Sequence, residues 1–311
     1  MAKPISSRPK GILWLVAGLI SLCGCDSPQP RQRANAEYLS AIQSWQQKRL
    51  TSLKSPTGWL NLAGLFWLKA GENTVGADSA NAIIFPKGRA PDFLGSFILQ
   101  DSVVTFQARP GVTVTHHDSA VTSIVMRTDQ QKNPTQLALG SLSWTIIKRG
   151  ERLGVRLRDH QHPQLQQFAG IETFPVDSTW RLEAEFEANH PPKLIAIPTV
   201  LNTINEEPSP GTFVFKLNGK THRLDATGKM TDSELFVIFA DQTNGRETYG
   251  AGRFLYVPTP DARGKSIIDF NKAHNPPCAF TEFATCPLPP EQNKLPVRIT
   301  AGEKIYAYAM H

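Results

Sequence analysis

From residue 59 onward, clusters of Gly, Pro, Asn and Asp recur at intervals too short to leave room for long helices. Between these clusters lie short runs that are rich in β-branched and aromatic residues. The runs of the first half are 81–85, 96–99, 103–108, 112–115, 122–127, 143–148 and 153–157. The runs of the second half are 180–186, 193–198, 212–217, 220–224, 235–239, 252–256, 267–269 and 305–309. Strands at this spacing, without helical segments between them, predict antiparallel sheets that form a sandwich or a barrel.

The length of this β-rich region indicates two units rather than one. An all-β chain of about 290 residues approaches the size at which a single hydrophobic core divides. Gly170 follows a polar interruption over 159–167 and marks a boundary. We predict a β-sandwich-like domain over 59–170 and a second β-rich domain, a barrel or a sandwich, over 171–311. The expected fold class is therefore mostly β, with two antiparallel β units packed on each other.

One helix precedes the strands. Apolar residues recur near helical spacing before residue 55, and a proline and a glycine follow soon after. These apolar residues are Tyr38, Leu39, Ile42, Trp45 and Leu50. The pattern predicts a single amphipathic helix over 34–58.

The segment 68–114 resembles the strand-and-loop rhythm of forkhead-associated β-sandwiches. Those modules bind phosphothreonine through an Arg soon after the first glycine and through a later Ser-x-x-His. Here Ala77 follows Gly76, and the segment from Gly95 to Leu99 contains no histidine. The resemblance implies a sandwich and argues against phosphopeptide binding.

The N-terminus has the layout of a secretory signal. Three basic residues precede an apolar run over 11–22, and the last residue of this run begins the sequence Leu-Cys-Gly-Cys at 22–25. The run is shorter than the roughly 20 apolar residues needed to span a bilayer. Its end resembles the lipobox of bacterial lipoproteins, which implies cleavage after residue 24 and acylation of Cys25. The alternative is an ordinary secretory leader with an incidental cysteine.

A lipid anchor would make the membrane a partner of this protein. Several acyl chains hold a protein stably, whereas one chain holds it only marginally. The Pro- and Gln-rich segment 25–33 then predicts a flexible tether. Asp26 resembles the signal that retains some lipoproteins in the inner membrane of Gram-negative bacteria. We expect the mature chain to face the periplasm or the exterior.

The charge of the chain excludes one class of function. The formal net charge is +6, and removal of the leader halves it because Lys3, Arg8 and Lys10 are lost with no acidic residue. The remaining positive charge is spread along the sequence, whereas nucleic-acid binding requires a clustered basic face. We expect no nucleic-acid partner.

Two cysteines remain after the lipid site, Cys278 and Cys286. An even pair in an exported chain predicts a disulfide that closes a short loop. Two free buried thiols, or half of a metal or redox site, are the alternatives. The C-x7-C spacing is not a zinc spacing by itself, and the sequence predicts no metal and no cofactor.

The polar residues are densest between 241 and 304, where they alternate with Pro, Gly and aromatic residues. The segments 249–253 and 269–290 resemble a bacterial and archaeal family known as domain of unknown function 1684, and the resemblance extends over most of the chain from about Trp59. The family implies no established reaction. Its usual Asn-x-Ala-Tyr-Asn-Pro-Pro has His274 here in place of tyrosine, which argues against His274 as an indispensable base or metal ligand.

Within this region we predict a ligand-binding surface. Its candidate residues are Tyr249, Arg253, Asp269, Asn271 and Asn275. Each candidate also has a structural interpretation. Arg253 and Asp269 could form a buried ion pair, Tyr249 could be a hydrogen-bonded core phenol, and the two asparagines could satisfy backbone groups in turns.

A hydrolase is the alternative function. In that hypothesis Asp269 or Glu282 acts as acid or base, Arg253 stabilises an anionic group, and Tyr249 acts as a general acid. The sequence has no Gly-x-Ser-x-Gly, phosphate-binding loop, dinucleotide fingerprint or His-Glu-x-x-His motif. The expectation is therefore a lipid-anchored envelope protein that binds a small molecule or an envelope partner.

A second group of charged residues lies at the predicted domain junction. Arg156, Arg158 and Asp159 end a strand there, where a binding cleft is geometrically feasible. Charge pairing among them is the alternative. His160 and His162 follow, without a carboxylate or a third histidine at a distance typical of a metal site.

Overall fold

The computed structural model describes residues 1–2 and 35–306. The predicted leader, the lipidation site Cys25, the retention signal Asp26 and the tether lie outside these residues. The described residues from 35 onward belong to one compact unit. The helices and strands are α1 (Ala36–Lys54), β1 (Leu62–Trp67), β2 (Gly71–Gly76), β3 (Ile83–Ile84), β4 (Gly95–Gln100), β5 (Val103–Ala108), β6 (Val114–His116), β7 (Ser119–Val121), β8 (Ser123–Met126), β9 (Gln136–Leu139), β10 (Leu142–Arg149), β11 (Arg152–Asp159), α2 (Pro163–Gln167), β12 (Arg181–Pro198), β13 (Ile204–Leu217), β14 (Lys220–Ala226), β15 (Glu234–Phe239), β16 (Arg253–Pro258) and β17 (Lys265–Asp269).

The first β unit is a sandwich of two sheets. One sheet has the strand order β1-β11-β10-β9-β6-β7 and the other has the order β3-β2-β4-β5-β8. Between them lies a core in which Phe85 and Phe106 meet the edge of the Trp144 ring, with centroids 5.4 and 5.7 Å apart. Edge-to-face contacts of this kind add stability beyond the apolar area that they bury.

Strand β11 shows how the sandwich positions charge. Leu153, Val155 and Leu157 point into the sandwich core, so by strand alternation Arg156 and Arg158 lie on the opposite face of the sheet. That face is covered by the second half of the chain, because Arg156 Nη2 lies 3.4 Å from Thr285 Oγ1. The outer face of the sheet is therefore a junction between the two β units.

The second β unit is a half-barrel. Its four-stranded sheet has the order β14-β13-β12-β17, and the hairpin β15-β16 lies against it. Thr227 pairs with Phe236 at one side of the hairpin, and Ser266 Oγ donates to the Pro258 carbonyl at the other. The enclosed core is separate from that of the sandwich and is centred on phenylalanine and leucine side chains of both sheets.

The hairpin β12-β13 is longer than the sequence pattern predicts. The runs 180–186 and 193–198, interrupted by Pro191 and Pro192, belong to one strand. The pairing register shifts between Ala188 and Lys193. Prolines are tolerated at such an irregularity because the residues there need not donate ladder hydrogen bonds.

The predicted N-terminal helix is present but shorter than 34–58. The Asn35 side chain accepts a hydrogen bond from the Tyr38 amide at 2.8 Å, which caps the helix start. The helix ends at Lys54, and Gly58 then donates to the Ser55 carbonyl. A Cβ at Gly58 would stand 2.2 Å from the Leu53 carbonyl oxygen, so the chain turns there without a side chain.

The predicted fold class, mostly β with two antiparallel units and an N-terminal helix, is confirmed. Strands β1, β2, β7 and β9 were not predicted, and α2 lies within the predicted polar interruption. Residues 305 and 306 are not in a strand, and the rest of the predicted run 305–309 lies outside the described residues. Within the described chain, no helix is both long enough and apolar enough to cross a membrane.

Candidate functional site

Arg253, at the start of β16, is wholly buried in the half-barrel. Its Nη2 donates to Asp241 Oδ2 at 2.5 Å and to the Ile299 carbonyl at 3.0 Å, and its Nη1 donates to the Ala301 carbonyl at 2.5 Å. Both charged side chains are inaccessible to solvent. Burial lowers the pKa of Arg253, and the Asp241 carboxylate opposes that effect. Arg253 therefore forms a buried ion pair, but with Asp241 rather than with Asp269.

Asp269 and Asn271 form a network beneath α1. Tyr38 Oη donates to Asp269 Oδ1 at 2.8 Å, and Asn271 Nδ2 donates to the Asp177 carbonyl at 2.9 Å. Asn271 Oδ1 in turn accepts from the Asp177 amide. Burial, and then the Asp269 carboxylate, raise the pKa of Tyr38. The protein itself thus supplies hydrogen bonds to both predicted ligand-binding residues.

Tyr249 and Glu282 lie apart from that network. Tyr249 Oη donates to the Cys278 carbonyl at 3.2 Å, and its ring packs against the cluster around Phe168 and Phe280. Burial raises the pKa of Tyr249. Glu282 is exposed on the surface. The catalytic candidates therefore do not converge on one cavity.

Asn275 connects the half-barrel with α1. Its backbone N–H donates to Glu303 Oε2 at 2.7 Å, and its backbone carbonyl accepts from Arg49 Nη2 at 2.8 Å. Arg49 also pairs with Glu303 at 3.1 Å. Asn275 is fully buried, and its Oδ1 has no hydrogen-bond partner among the described residues.

The disulfide between Cys278 and Cys286 is present, with Cα atoms 6.2 Å apart, which confirms the prediction. The Cys286 carbonyl accepts from the Val200 amide of the turn between β12 and β13. The bridge thereby holds the loop 278–286, including Thr285, between the half-barrel and the sandwich.

A cavity of about 470 Å³ lies between α1 and the half-barrel. Five aromatic side chains line it: Trp45, Trp59, Phe254, Tyr256 and His274. The rings of Tyr256 and His274 are nearly parallel, with an interplanar angle of 11° and centroids 5.9 Å apart. The volume, and a lining in which aromatic side chains lie beside a few polar groups, are typical of a small-molecule site.

His274 supplies a neutral polar group to this cavity. Burial, and then the Arg49 cation, lower the pKa of His274 to about 3. Its Nδ1 lies 3.1 Å from the Lys272 carbonyl, so the neutral ring carries its proton on Nδ1. The Nε2 atom is left as a hydrogen-bond acceptor.

Two cations stand at the α1 wall of the cavity, Lys48 and Arg49. Arg49 is held by Glu303 and Asn275, and Lys48 is exposed. The same wall carries Trp45 and Ser52, so the four residues share one helix face at spacings of three and four. Among the residues that line this cavity, none is an aspartate or glutamate.

The structure brings only one predicted site residue, Asn275, to this cavity. Trp45, Arg49, Trp59 and Tyr256 were not predicted as site residues, and the family pattern argued against an essential role for His274. A signal for part of the set was present in the helical spacing of Trp45, Lys48, Arg49 and Ser52. Over the described ranges, no three His, Cys, Asp or Glu side chains are grouped so that they could hold a metal ion.

The chain belongs to the family described as "Protein of unknown function (DUF1684)", whose model matches residues 166–304. This confirms the resemblance, although the match begins well after Trp59 and leaves the sandwich outside it. A search of curated proteins found no match.

Several solved structures are similar to parts of this chain. An uncharacterized protein of Haloarcula marismortui is 32% identical, with 45% of this chain and 79% of that chain covered and a TM-score of 0.38. The FhaA FHA domain is 12% identical, with coverage of 30% and 97% and a TM-score of 0.21. Mycobacterium tuberculosis EmbR is 8% identical, with coverage of 41% and 32% and a TM-score of 0.22. We draw no functional argument from likenesses at these scores.

Proposed function

We propose that this protein is a lipid-anchored envelope protein that binds an acidic saccharide in the cavity between α1 and the half-barrel. The observation that carries the proposal is a cavity of about 470 Å³ that is lined by aromatic side chains, two cations and a neutral histidine acceptor. The cavity is lined by Trp45, Arg49, Trp59, Tyr256 and His274. Each feature restricts the chemistry of the ligand.

The aromatic walls favour a ligand with an apolar face, such as the face of a sugar ring. Lys48 gives the cavity a net positive charge, because Arg49 is balanced by Glu303. This charge disfavours a cationic ligand, which the rings alone would attract. It favours a carboxylate or phosphate substituent instead. His274 Nε2 accepts a hydrogen bond, and a sugar hydroxyl is a suitable donor. An acidic saccharide meets all three requirements.

Binding without hydrolysis is favoured by the absence of carboxylates from the residues that line this cavity. Saccharide hydrolysis ordinarily uses a pair of carboxyl groups on opposite sides of the scissile bond. Arg253 and Asp269, the central residues of the hydrolase hypothesis, already have protein partners. We therefore propose a binding protein and not a hydrolase.

The binding proposal is tested by titrating the protein with trigalacturonate and with the neutral trisaccharide cellotriose. Trp45 and Trp59 line the cavity, so we expect tryptophan fluorescence to change with trigalacturonate alone. Trp45→Ala should weaken that affinity by about tenfold or more, because it removes a stacking wall.

The matched control is Trp67→Ala, since the Trp67 ring lies under Arg152 on the sandwich, with the Arg152 guanidinium 4.0 Å from the ring centroid. This variant should bind trigalacturonate like the parent protein. Equal binding of the two saccharides, or full binding by Trp45→Ala, would contradict the proposal.

The anchor is tested separately with Cys25→Ala. We expect the parent protein to sediment with membranes at high salt and the variant to remain in the supernatant. A variant that still sediments would refute covalent anchoring at Cys25 and leave the saccharide proposal unaffected.

A further inference from the structure

We propose a second binding site, for an oxyanion group such as phosphate or sulfate, at the junction between the sandwich and the half-barrel. Its central residues are Arg149 of β10, Arg156 of β11 and Thr285 of the disulfide-closed loop. The site is separate from the aromatic cavity and does not depend on the saccharide proposal.

Two guanidinium groups converge on one hydroxyl at this junction. Arg149 Nε lies 3.0 Å from Thr285 Oγ1, and Arg156 Nη2 lies 3.4 Å from the same oxygen. A hydroxyl oxygen is neutral, so it does not balance two positive charges. Like charges held this close repel each other unless an anion lies between or beside them.

Arg156 lacks the partners that a buried arginine requires. It is only 8% exposed, and its Nε atom has no hydrogen-bond partner among the described residues. The nearest aromatic ring below it is Trp59, with the guanidinium carbon 5.7 Å from the ring centroid. Burial, and then the Arg149 cation, lower the pKa of Arg156 to about 10, so it remains charged at neutral pH.

Neighbouring carboxylates balance Arg156 only in part, since the Asp129 carboxylate opposes the lowering of the Arg156 pKa but makes no ion pair with it. Asp159, the closest acidic residue along the strand, pairs with Arg89 at 3.4 Å. Asp129 pairs with Arg149 at 2.8 Å. Arg158 adds a further cation, which donates to the Asn61 side chain and to the Gly58 carbonyl. The described part of the junction therefore has an excess of positive charge.

Arg149 borders a cavity of about 310 Å³, and Arg156 does not line this cavity but contacts Thr285, which does. Arg149 and Thr285 both line it, and Thr199 and Thr203 at the tip of the long hairpin supply further hydroxyl groups. Glu207 also lines the cavity, but its side chain is exposed to solvent. The volume is sufficient for an oxyanion carried on a small molecule.

An oxyanion in this cavity would bond to Arg149 and Thr285 directly, and its negative charge would offset the positive charge of the adjacent Arg156. Its oxygens accept charge-assisted hydrogen bonds from guanidinium groups, often two at a time, and from hydroxyls. The disulfide at Cys286 fixes Thr285 next to the two arginines. The sandwich supplies the cations and the family-matched region supplies the hydroxyl, so the site requires both β units.

The experiment measures thermal unfolding in increasing sodium phosphate, sodium sulfate or sodium chloride at matched ionic strength. We expect the melting temperature to rise by about 3 °C or more in phosphate or sulfate beyond the change in chloride, because the anion binds only the folded state. Arg156→Met should abolish this difference. In buffer without these anions it should melt at or above the temperature of the parent protein.

Two further variants keep the test decisive if Arg156→Met does not fold. Thr285→Val removes the shared hydroxyl without changing the charge and should weaken phosphate affinity by about tenfold, measured by titration calorimetry. Arg152→Met is the matched control, because Arg152 lies on the same strand and contacts Trp67 rather than Thr285.

The proposal is overturned if phosphate and sulfate have no more effect than chloride on the parent protein. It is also overturned if Thr285→Val retains full affinity, or if Arg152→Met loses as much of the anion effect as Arg156→Met. The last result would identify a general charge effect rather than a site. An inorganic anion that binds in the parent and fails in the Thr285 and Arg156 variants would support the site.

Discussion

Two regions of the molecule bury an arginine, and they differ in what surrounds it. Arg253, in the family-matched half-barrel, bonds to the Asp241 carboxylate and to two backbone carbonyls, and only its Nε lacks a described partner. Arg156, at the junction with the sandwich, has one long hydrogen bond to a threonine and no carboxylate partner. The first charge is compensated within the fold, whereas the second is offset only in part, by the Asp129 carboxylate.

This difference indicates where function resides. The residues that stand out in the sequence, Arg253 and Asp269, have most of their hydrogen-bonding capacity occupied by the protein, so they hold the half-barrel together. At the two proposed sites, buried polar atoms without a described partner are Arg156 Nε and Asn275 Oδ1. A polar group that is buried at a cost and left unpaired is a better indicator of a ligand site than a dense polar motif.

The largest expected effect comes from substituting the two arginines in parallel. Arg253→Met leaves Asp241 buried without its counter-charge, and we expect the free energy of unfolding to fall by about 3–5 kcal/mol. Arg156→Met removes a buried charge that is only partly compensated, and we expect a change of less than about 1 kcal/mol or a small increase. Urea denaturation of both variants measures the difference.

A double variant, Arg253→Met with Asp241→Asn, sharpens this result. It removes both members of the pair, so its loss of stability should be smaller than the sum of the two single losses. Equal losses for Arg253→Met and Arg156→Met would show that the two regions do not differ in the way described.

The disulfide connects the two regions and gives the next largest effect. Replacing Cys278 and Cys286 with serine should lower the free energy of unfolding by about 2–3 kcal/mol, because the unfolded chain is no longer closed at this loop. The same variant should weaken the phosphate effect, since Thr285 is no longer held. A stability loss with an unchanged phosphate response would separate the bridge from the junction site. Mass measurement with and without reductant verifies the bridge itself.

Much of the fold could be predicted from the sequence, because alternation and turn residues are local signals. The disulfide could be predicted from the even pair of cysteines in a sequence whose N-terminus has the layout of a secretory signal. The partner of Arg253 could not, because the choice between Asp241 and Asp269 depends on how β16 and the segment around Ile299 come together. The aromatic cavity could not either, since Trp45 and His274 are more than 200 residues apart in the sequence.

The pH dependence of stability tests whether His274 stays neutral inside the folded half-barrel. Its pKa is lowered to about 3 in the folded protein, against 6.5 ordinarily. Above pH 6.5 it is neutral in both states, so its contribution does not vary. Between pH 6 and pH 4 only the unfolded chain takes up the proton, so stability should fall by about 1.4 kcal/mol for each pH unit.

Substituting His274→Tyr, the residue usual at this position in the family, removes this titration. Urea denaturation at pH 7, 6, 5 and 4 should show a shallower decline for the variant than for the parent protein. Parallel declines would mean that His274 is protonated as readily in the folded chain as in the unfolded one. The folded half-barrel would then accept a protonated His274 ring, although the described residues place no carboxylate in contact with that ring.

The smallest effect is expected at Tyr38, inside the compensated network. Tyr38→Phe removes the hydrogen bond to Asp269 and the one that Tyr38 Oη accepts from Asn271 Nδ2 at 3.0 Å. Asn271 still donates to the Asp269 carboxylate through its backbone amide at 3.1 Å and its side chain at 3.2 Å. The loss of stability at neutral pH should therefore be about 1 kcal/mol. The pKa of Tyr38 is raised above its ordinary value of 10.0, so above pH 10 the unfolded chain loses this proton first and the parent protein is destabilised as pH rises. The phenylalanine variant should lack that part of the alkaline decline. A loss of stability several times larger at neutral pH would show that the Asn271 hydrogen bonds do not make up for the missing Tyr38 hydroxyl.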